Sequence, residues 1–182
     1  MEMSEKNNLR IFDIKLNNIN GGSTQYYICK KKANYKYNST YIKKILNNES
    51  KFRLYKKSTY SKFFSDIEKI KNKVVKIVLR AKIKKEKIHG YGASTKGNVL
   101  LQYFNIGSQQ IDYIADRNPK KYNQYTPGTN IKIISEKRSR KIKPNYYLVL
   151  PWHFKKEILK RENKIRAKGC KFIFPLPNLK IY

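Results

Sequence analysis

Acidic residues, cysteines and long apolar runs are all scarce in this chain. Its 182 residues include 12 Asp and Glu against 42 Lys and Arg, and only two cysteines. No apolar run approaches the roughly 20 residues that a membrane-spanning helix needs, and the polar segment 1–6 lacks the apolar core of a signal peptide. We therefore expect a cytoplasmic protein with no membrane partner.

The two cysteines, Cys29 and Cys170, lie far apart, and neither has a Cys-x-x-Cys partner. Structural metal sites and redox motifs use thiols at short, regular spacing. The sequence therefore favours two buried free thiols over the alternative of a disulfide or a metal site. No metal is expected.

A formal charge of +30 is the feature that favours nucleic acid as a partner. The basic residues are mostly lysines, however, and they are spread along the whole chain rather than clustered. Lys, Asn, Ile and Tyr, which share A/T-rich codons, together form nearly half of the sequence. The codon usage of a low-GC genome therefore explains most of the charge. A basic nucleic-acid-binding protein remains the alternative function.

The pattern of apolar residues predicts an α/β fold. Alternation predicts a β-hairpin over 1–30, and a helical connecting segment over 31–84 ends in a long helix from residue 60. From residue 85 to 182 strands alternate with helices, which is typical of a Rossmann-like, mostly parallel sheet with flanking helices. The predicted strands are 87–89, 111–115, 132–134, 146–150 and 171–175, and the predicted helices are 96–103 and 154–168, with a short basic helical turn after 134.

The long helix from residue 60 has one apolar stripe, with residues at steps of three and four. We interpret this stripe as core packing or domain docking rather than as a ligand groove. Its members are Phe63, Phe64, Ile67, Ile70, Val74, Ile77 and Val78.

The segment 88–98 (Ile-His-Gly-Tyr-Gly-Ala-Ser-Thr-Lys-Gly-Asn) predicts a buried strand, a glycine turn from Gly90 and a helix directly after it. A glycine turn lets the backbone approach a ligand, and the first, unpaired amides of a helix favour an anion. The next strand ends at Asp116. The sequence separation from Gly92 to Asp116 is about the one that places a carboxylate on the ribose in dinucleotide-binding folds. A phosphate-bearing ligand is therefore expected, but the Gly-x-Gly-x4-Gly spacing does not fit NAD.

Four short motifs occur in a fixed order along the chain. They are Gly-Tyr-Gly-Ala-Ser-Thr-Lys-Gly-Asn (90–98), Asp-Arg-Asn-Pro (116–119), Thr-Pro-Gly-Thr (126–129) and Leu-Pro-Trp-His-Phe (150–154). In these four motifs and their order, the chain resembles the C-terminal domain of S-adenosylmethionine-dependent sugar C-methyltransferases. The resemblance extends over about residues 9–177.

The resemblance implies an enzyme that methylates a carbon of a nucleotide-linked keto-deoxysugar, with dTDP as the expected nucleotide. It implies that residues 9–30 correspond to the last strands of a methyltransferase domain and that 85–182 form the substrate-binding domain. S-adenosylmethionine would be bound mainly by a part missing from this chain. Either that part is a separate methyl-donor-binding chain, or the present chain is a gene fragment. The chain is therefore expected to lack catalytic residues and to be inactive alone.

The candidate substrate-binding residues lie at the predicted carboxyl ends of the strands. We expect Lys96 and helix amides to contact the diphosphate and Asp116 to contact a hydroxyl, although a turn-forming Asp116 is an equal alternative. Ser94 is a candidate helix cap as well, and His153 stands where the family usually has Asn. The full candidate set is Gly90, Tyr91, Gly92, Ala93, Ser94, Lys96, Asn98, Asp116, Arg117, Asn118 and His153.

Overall fold

The computed structural model describes residues 2–182, and the chain divides into two compact units, Met1–Phe64 and Ser65–Tyr182. No helix of the described part is long and apolar enough to span a membrane. Both cysteines are buried and free, as predicted.

The first unit contains the predicted β-hairpin. Its elements are α1 (Glu2–Lys6), β1 (Leu9–Asn17), β2 (Ser23–Lys30), α2 (Ser39–Lys51) and the start of α3 (Lys57–Ile83). The strands β1 and β2 pair antiparallel around a single 3₁₀ turn. The side chain of Asn38 caps α2 by accepting a hydrogen bond from the amide of Tyr41. This helix lies within the segment 31–84, for which helices were predicted.

The second unit is built on a six-stranded sheet. After the rest of α3 its elements are β3 (Ile88–Tyr91), α4 (Thr95–Phe104), β4 (Tyr113–Asp116), β5 (Ile133–Ser135), α5 (Glu136–Ile142), β6 (Tyr146–Val149), α6 (Lys155–Arg161), α7 (Asn163–Arg166), β7 (Lys171–Phe174) and β8 (Lys180–Ile181). The spatial order is β5-β4-β3-β6-β7-β8, and only β8 runs antiparallel to its neighbour. The predicted α/β fold is confirmed, with β8 as an unpredicted edge strand.

Two apolar layers cover the sheet of the second unit. One packs α3 and α4 against one face, through side chains such as Val78, Leu101 and Ile114. The other packs α6 against the opposite face, through Ile158 and Phe172. Side chains that alternate along β3 supply both layers, because neighbouring residues of a strand point to opposite faces.

Two predicted features of the helices differ in the structure. Phe63 and Phe64 are each 58% exposed, so this end of the predicted α3 stripe is not packed in a core. The two phenylalanines belong to the first unit, and only the later part of the stripe, including Val74 and Val78, packs on the sheet of the second. The predicted helix 154–168 breaks at Glu162 into α6 and α7.

The strand order creates one crossing point. From β3 the chain moves outward through β4 to β5 and then returns to the other side of β3 as β6. Open α/β sheets bind their ligands at the carboxyl ends of the strands beside such a crossing. The carboxyl ends of β3, β4 and β6 are therefore the place to look for a site.

Candidate functional site

The predicted glycine turn begins at Gly92 rather than at Gly90. Gly90 is a buried residue within β3, paired in register with Ile114 and Leu148 of the neighbouring strands. A Cβ at Gly90 would collide with the side chain of Ile114. The small residue is therefore needed for packing in the core, and its placement in a ligand-facing turn was wrong.

Gly92 adopts the left-handed backbone that glycine tolerates, with φ of +82°. An added Cβ there would lie 2.8 Å from the ring of Pro151, which follows β6. The turn after β3 is thus pressed against the segment after β6, at the crossing point of the sheet.

The main-chain amides of this turn are bonded within the protein. Their acceptors lie at the end of β4 and in the turn itself: Gly92 N to Ala115 O at 2.7 Å, Ala93 N to Asp116 Oδ2 at 2.7 Å and Ser94 N to Gly92 O at 2.9 Å. The Ser94 hydroxyl caps α4 by accepting from the Gly97 amide at 3.1 Å. Of the helix amides that were expected to be unpaired, that of Gly97 is taken by this cap, and the three turn amides before the helix are taken by the strand end and the turn.

Asp116 braces this loop through both carboxylate oxygens. Besides the Ala93 amide on Oδ2, the Asn118 amide donates to Oδ1 at 2.8 Å. The ammonium of Lys121 lies 3.6 Å from Oδ2 and donates to the Ala93 carbonyl at 2.6 Å. Asn118 in turn accepts from the Lys120 amide. The structure shows the turn-forming role of Asp116, and a contact of this residue with a ligand hydroxyl stays a prediction.

A cavity of about 310 Å³ opens beside the braced loop. It brings together six of the predicted residues: Tyr91, Gly92, Ala93, Ser94, Asp116 and Arg117. Gly90, Lys96, Asn98, Asn118 and His153 are not part of its lining. The remaining lining residues, which sequence reasoning missed, are Lys121, Glu136, Pro151, Phe154, Glu157, Ile158 and Arg161.

A network of hydrogen bonds and ion pairs forms one wall of this cavity. The guanidinium of Arg161 donates to the Tyr91 hydroxyl at 2.7 Å and to Glu136 at 3.2 Å. Tyr91 donates to Oε1 of Glu162 at 2.8 Å, and Arg140 donates to the same oxygen at 2.7 Å. Burial raises the pKa of Tyr91 above its usual value, so the hydroxyl stays protonated and can donate. The network holds Arg161 in a defined position at the cavity.

The buried member of the network, Glu162, is only 2% exposed and lies at the break between α6 and α7. In the sequence it is one charged residue among many in a segment that predicts one continuous helix. No spacing or motif distinguishes it from a solvent-facing glutamate.

The sequence was compared with models of known protein families and with characterised proteins. The model of the C-methyltransferase C-terminal domain family matches residues 18–177. The chain belongs to this family. It is also 27% identical over 177 residues to the C-methyltransferase NovU of Streptomyces niveus. That match covers 97% of this chain and 42% of NovU, so the chain spans less than half the length of this relative.

The resemblance implied S-adenosylmethionine as cofactor, bound mainly outside this chain, and none of the residues described above shows the free ribose-binding carboxylate of such a site. In Rossmann-like sites the carboxylate after the second strand accepts ribose hydroxyls, and glycine-rich amides face the ligand. Here the carboxylate of Asp116 instead receives the amides of Ala93 and Asn118. We therefore assign no step of methyl transfer to these residues.

Three of the predicted site residues, Lys96, Asn98 and His153, lie near the crossing of β3 and β6. Burial, aided by the charge of Lys96, lowers the pKa of His153. The ring of His153 contacts that of Phe154, with 4.3 Å between centroids. Among residues 2–182, neither Nδ1 of His153 nor Oδ1 of Asn98 has a hydrogen-bond partner, although both atoms are buried.

Among the residues that the structure describes, no group of three or more His, Cys, Asp or Glu side chains could hold a metal ion. Of the acidic residues beside the cavity, Asp116 is paired with Lys121 and Glu136 with Arg161.

Proposed function

We propose that this chain is the substrate-binding portion of a C-methyltransferase that acts on a nucleotide-linked keto-deoxysugar, with dTDP as the nucleotide. S-adenosylmethionine would be held mainly by residues outside this chain, in the remainder of a longer polypeptide or in a separate methyltransferase chain. The chain alone would bind the sugar nucleotide without transferring a methyl group. A cytoplasmic location stays a prediction from the sequence.

The observation that supports the proposal is the set of cations at one cavity on the carboxyl edge of a parallel sheet. Arg117, Lys121 and Arg161 all line it, together with the carboxylates of Asp116, Glu136 and Glu157. Lys121 and Arg161 are paired with Asp116 and Glu136. A guanidinium offers two parallel donors that match the oxygens of a phosphate. Arg161 is fixed in place by Tyr91 and Glu136, whereas Arg117 is an exposed residue beside the braced loop. A diphosphate that spans the cavity would meet both.

The chemistry explains why a binding portion matters for methylation at carbon. A base must remove the proton next to the keto group, and the methyl donor must lie in line with the resulting carbanion. Binding energy from the distant nucleotide can orient the sugar carbon for that step. We assign this chain the orienting part and no proton transfer.

Isothermal titration calorimetry with dTDP tests the proposal. We expect saturable binding that Arg117→Ala weakens by about tenfold or more, because a charged hydrogen bond to phosphate contributes about 1.5–3 kcal/mol. Arg138→Ala is the matched control, since Arg138 is also exposed, on α5, and does not line the cavity. Absence of dTDP binding, or equal weakening by both substitutions, would contradict the proposed function.

The same protein can be titrated with a single-stranded RNA oligomer to test the nucleic-acid alternative. Binding to RNA through many lysines falls steeply with salt, in proportion to the phosphates neutralised. Tight RNA binding at moderate salt together with no dTDP binding would favour that alternative. Specific dTDP binding that depends on Arg117 would exclude it as the main function.

A further inference from the structure

One side of α6, together with the turn before it, faces the cavity. Phe154, Glu157, Ile158 and Arg161 all line it. Their spacing of three, four and seven residues from the first is the spacing of side chains on one face of a helix. At 1.5 Å per residue this stripe extends for about 10 Å. A single ligand along it would meet an aromatic ring at one end and a guanidinium at the other.

Glu157 is the carboxylate of the cavity that the rest of the protein leaves unused. The other two acidic residues of the lining, Asp116 and Glu136, have ion-pair partners. A glutamate on a helix commonly pairs with an arginine four residues later, but Arg161 is turned toward Tyr91 and Glu136 instead. Glu157 is exposed, and its side chain has no hydrogen bond or ion pair among the described residues. Its oxygens can therefore accept hydrogen bonds from a ligand.

The chemistry of this stripe fits a sugar better than the other parts of a sugar nucleotide. Phe154, one helical turn before Glu157, is 43% exposed. A sugar ring has carbon-bound hydrogens on its faces, which can pack on an aromatic ring, and hydroxyl donors around its edge. An ionised carboxylate only accepts hydrogen bonds, so it repels a phosphate. Thymine also fits poorly, because its one N–H lies between two carbonyl oxygens that repel a carboxylate.

We propose that Phe154 and Glu157 form the subsite for the sugar of the nucleotide-linked ligand. The inference rests on the proposed function, because it concerns the other half of the same ligand. Arg161, at the far end of the stripe, contacts the diphosphate, while the sugar packs on the ring of Phe154 and its hydroxyls donate to Glu157. Both side chains are exposed within the lining of the cavity, so a sugar can reach them.

Calorimetry with two probes of equal charge tests this subsite. The probes are dTDP-glucose and the β-methyl ester of dTDP, which differ only in carrying a glucose or a methyl group on the diphosphate. For the wild-type chain we expect the dissociation constant of dTDP-glucose to be about tenfold the lower. Glu157→Ala should reduce this preference about fivefold, the effect of one net hydrogen bond. It should not weaken binding of the methyl ester, because the charge that it removes only repels the diphosphate.

Phe154→Ala is the second variant. It removes the ring and should also reduce the preference for dTDP-glucose about fivefold, while the dissociation constant of the methyl ester stays nearly unchanged. Glu49→Ala in α2 and Phe63→Ala in α3 make the same two changes at exposed positions that do not line the cavity, and both should keep the preference. Circular dichroism checks the fold of every variant, and if one of the two cavity variants does not fold, the other decides the matter.

The failures can be told apart. If the wild-type chain binds neither probe, the proposed function fails and the subsite with it. If it binds both probes equally well, only the subsite is overturned. The subsite is also overturned if the preference survives in Glu157→Ala and Phe154→Ala. Equal weakening of both probes by these substitutions would overturn it as well, because the two side chains would then act on the nucleotide and not on the sugar.

Discussion

The amide of Ala93 donates a 2.7 Å hydrogen bond to the carboxylate of Asp116, 23 residues further along the chain and one strand away. This bond joins the turn after β3 to the end of β4. A carboxylate at this position suggests contact with a ligand hydroxyl, yet its oxygens are used to shape the loop. The cavity is thus bordered by a loop whose form is set before any ligand binds.

Replacing the brace should loosen this loop. Asp116→Asn leaves one acceptor oxygen where two amides now donate to the carboxylate. We expect the free energy of unfolding to fall by about 1–3 kcal/mol, measured by urea denaturation at neutral pH. Asp112→Asn, at an exposed position just before β4, is the control and should change it little. Equal stability of both variants and the wild type would show that Asp116 is not a brace.

The close approach at Gly90 gives a second prediction. Gly90→Ala should lower the free energy of unfolding by about 1–3 kcal/mol, because its methyl group would overlap the Ile114 side chain. Ile114→Val removes the methyl that causes the overlap and alone should cost about 0.5–1.5 kcal/mol. The double variant should be more stable than the sum of the two losses implies. Additive losses in thermal or urea unfolding would contradict the packing role of Gly90.

The order of strands and helices after residue 85 could be predicted because each element carries its own local pattern. The end of β3 could not be predicted, because a glycine can be required either for close packing or for a left-handed backbone. Gly90 is required because Ile114 packs closely against it, whereas Gly92 is required because its backbone is left-handed. A single sequence contains no information that tells one glycine from the other.

The candidate site could be predicted only where a motif marks it. Eight motif residues line the cavity, six of them from the predicted site set, but Lys121 and Arg161 were missed because lysines and arginines are common throughout the chain. Glu162 was missed because its partners, Tyr91 and Arg140, are brought to it only by the packing of distant segments. Contacts of this kind depend on tertiary structure, and no local spacing reports them.

The wall of the cavity gives a third prediction. Tyr91→Phe removes the hydroxyl that links Arg161 to the buried Glu162. The free energy of unfolding should fall by about 1–3 kcal/mol, because the carboxylate loses a donor. Tyr125→Phe, at an exposed tyrosine, should have almost no effect. A Tyr91→Phe variant as stable as this control in urea denaturation would show that the hydrogen bond contributes nothing to folding.

Combining Tyr91→Phe with Glu162→Gln measures the strength of that link. If the two side chains act through their 2.8 Å hydrogen bond, the double variant should differ from the sum of the single losses by about 0.5–3 kcal/mol. Strictly additive losses would show that the two substitutions do not act through the hydrogen bond between Tyr91 and Glu162.

The buried histidine of the sheet gives a prediction for pH. His89 is fully buried, its Nδ1 lies 2.7 Å from the Ser139 hydroxyl, and its pKa is lowered from 6.5 to about 4. Burial is the main cause. The charge of Lys87 adds to the lowering, while that of Asp112 opposes it. The folded protein therefore keeps this ring neutral under conditions in which the unfolded chain binds a proton.

Because the folded pKa lies below the unfolded one, the contribution of His89 is complete above about pH 6.5 and is lost as the pH falls toward about 4. The loss should reach about 3 kcal/mol. Urea denaturation at several pH values between these limits should show a shallower pH dependence for His89→Leu than for the wild type. His153→Phe is the control, because His153 is less buried and should leave most of the dependence in place. Parallel pH profiles for the wild type and His89→Leu would mean that His89 does not control acid unfolding.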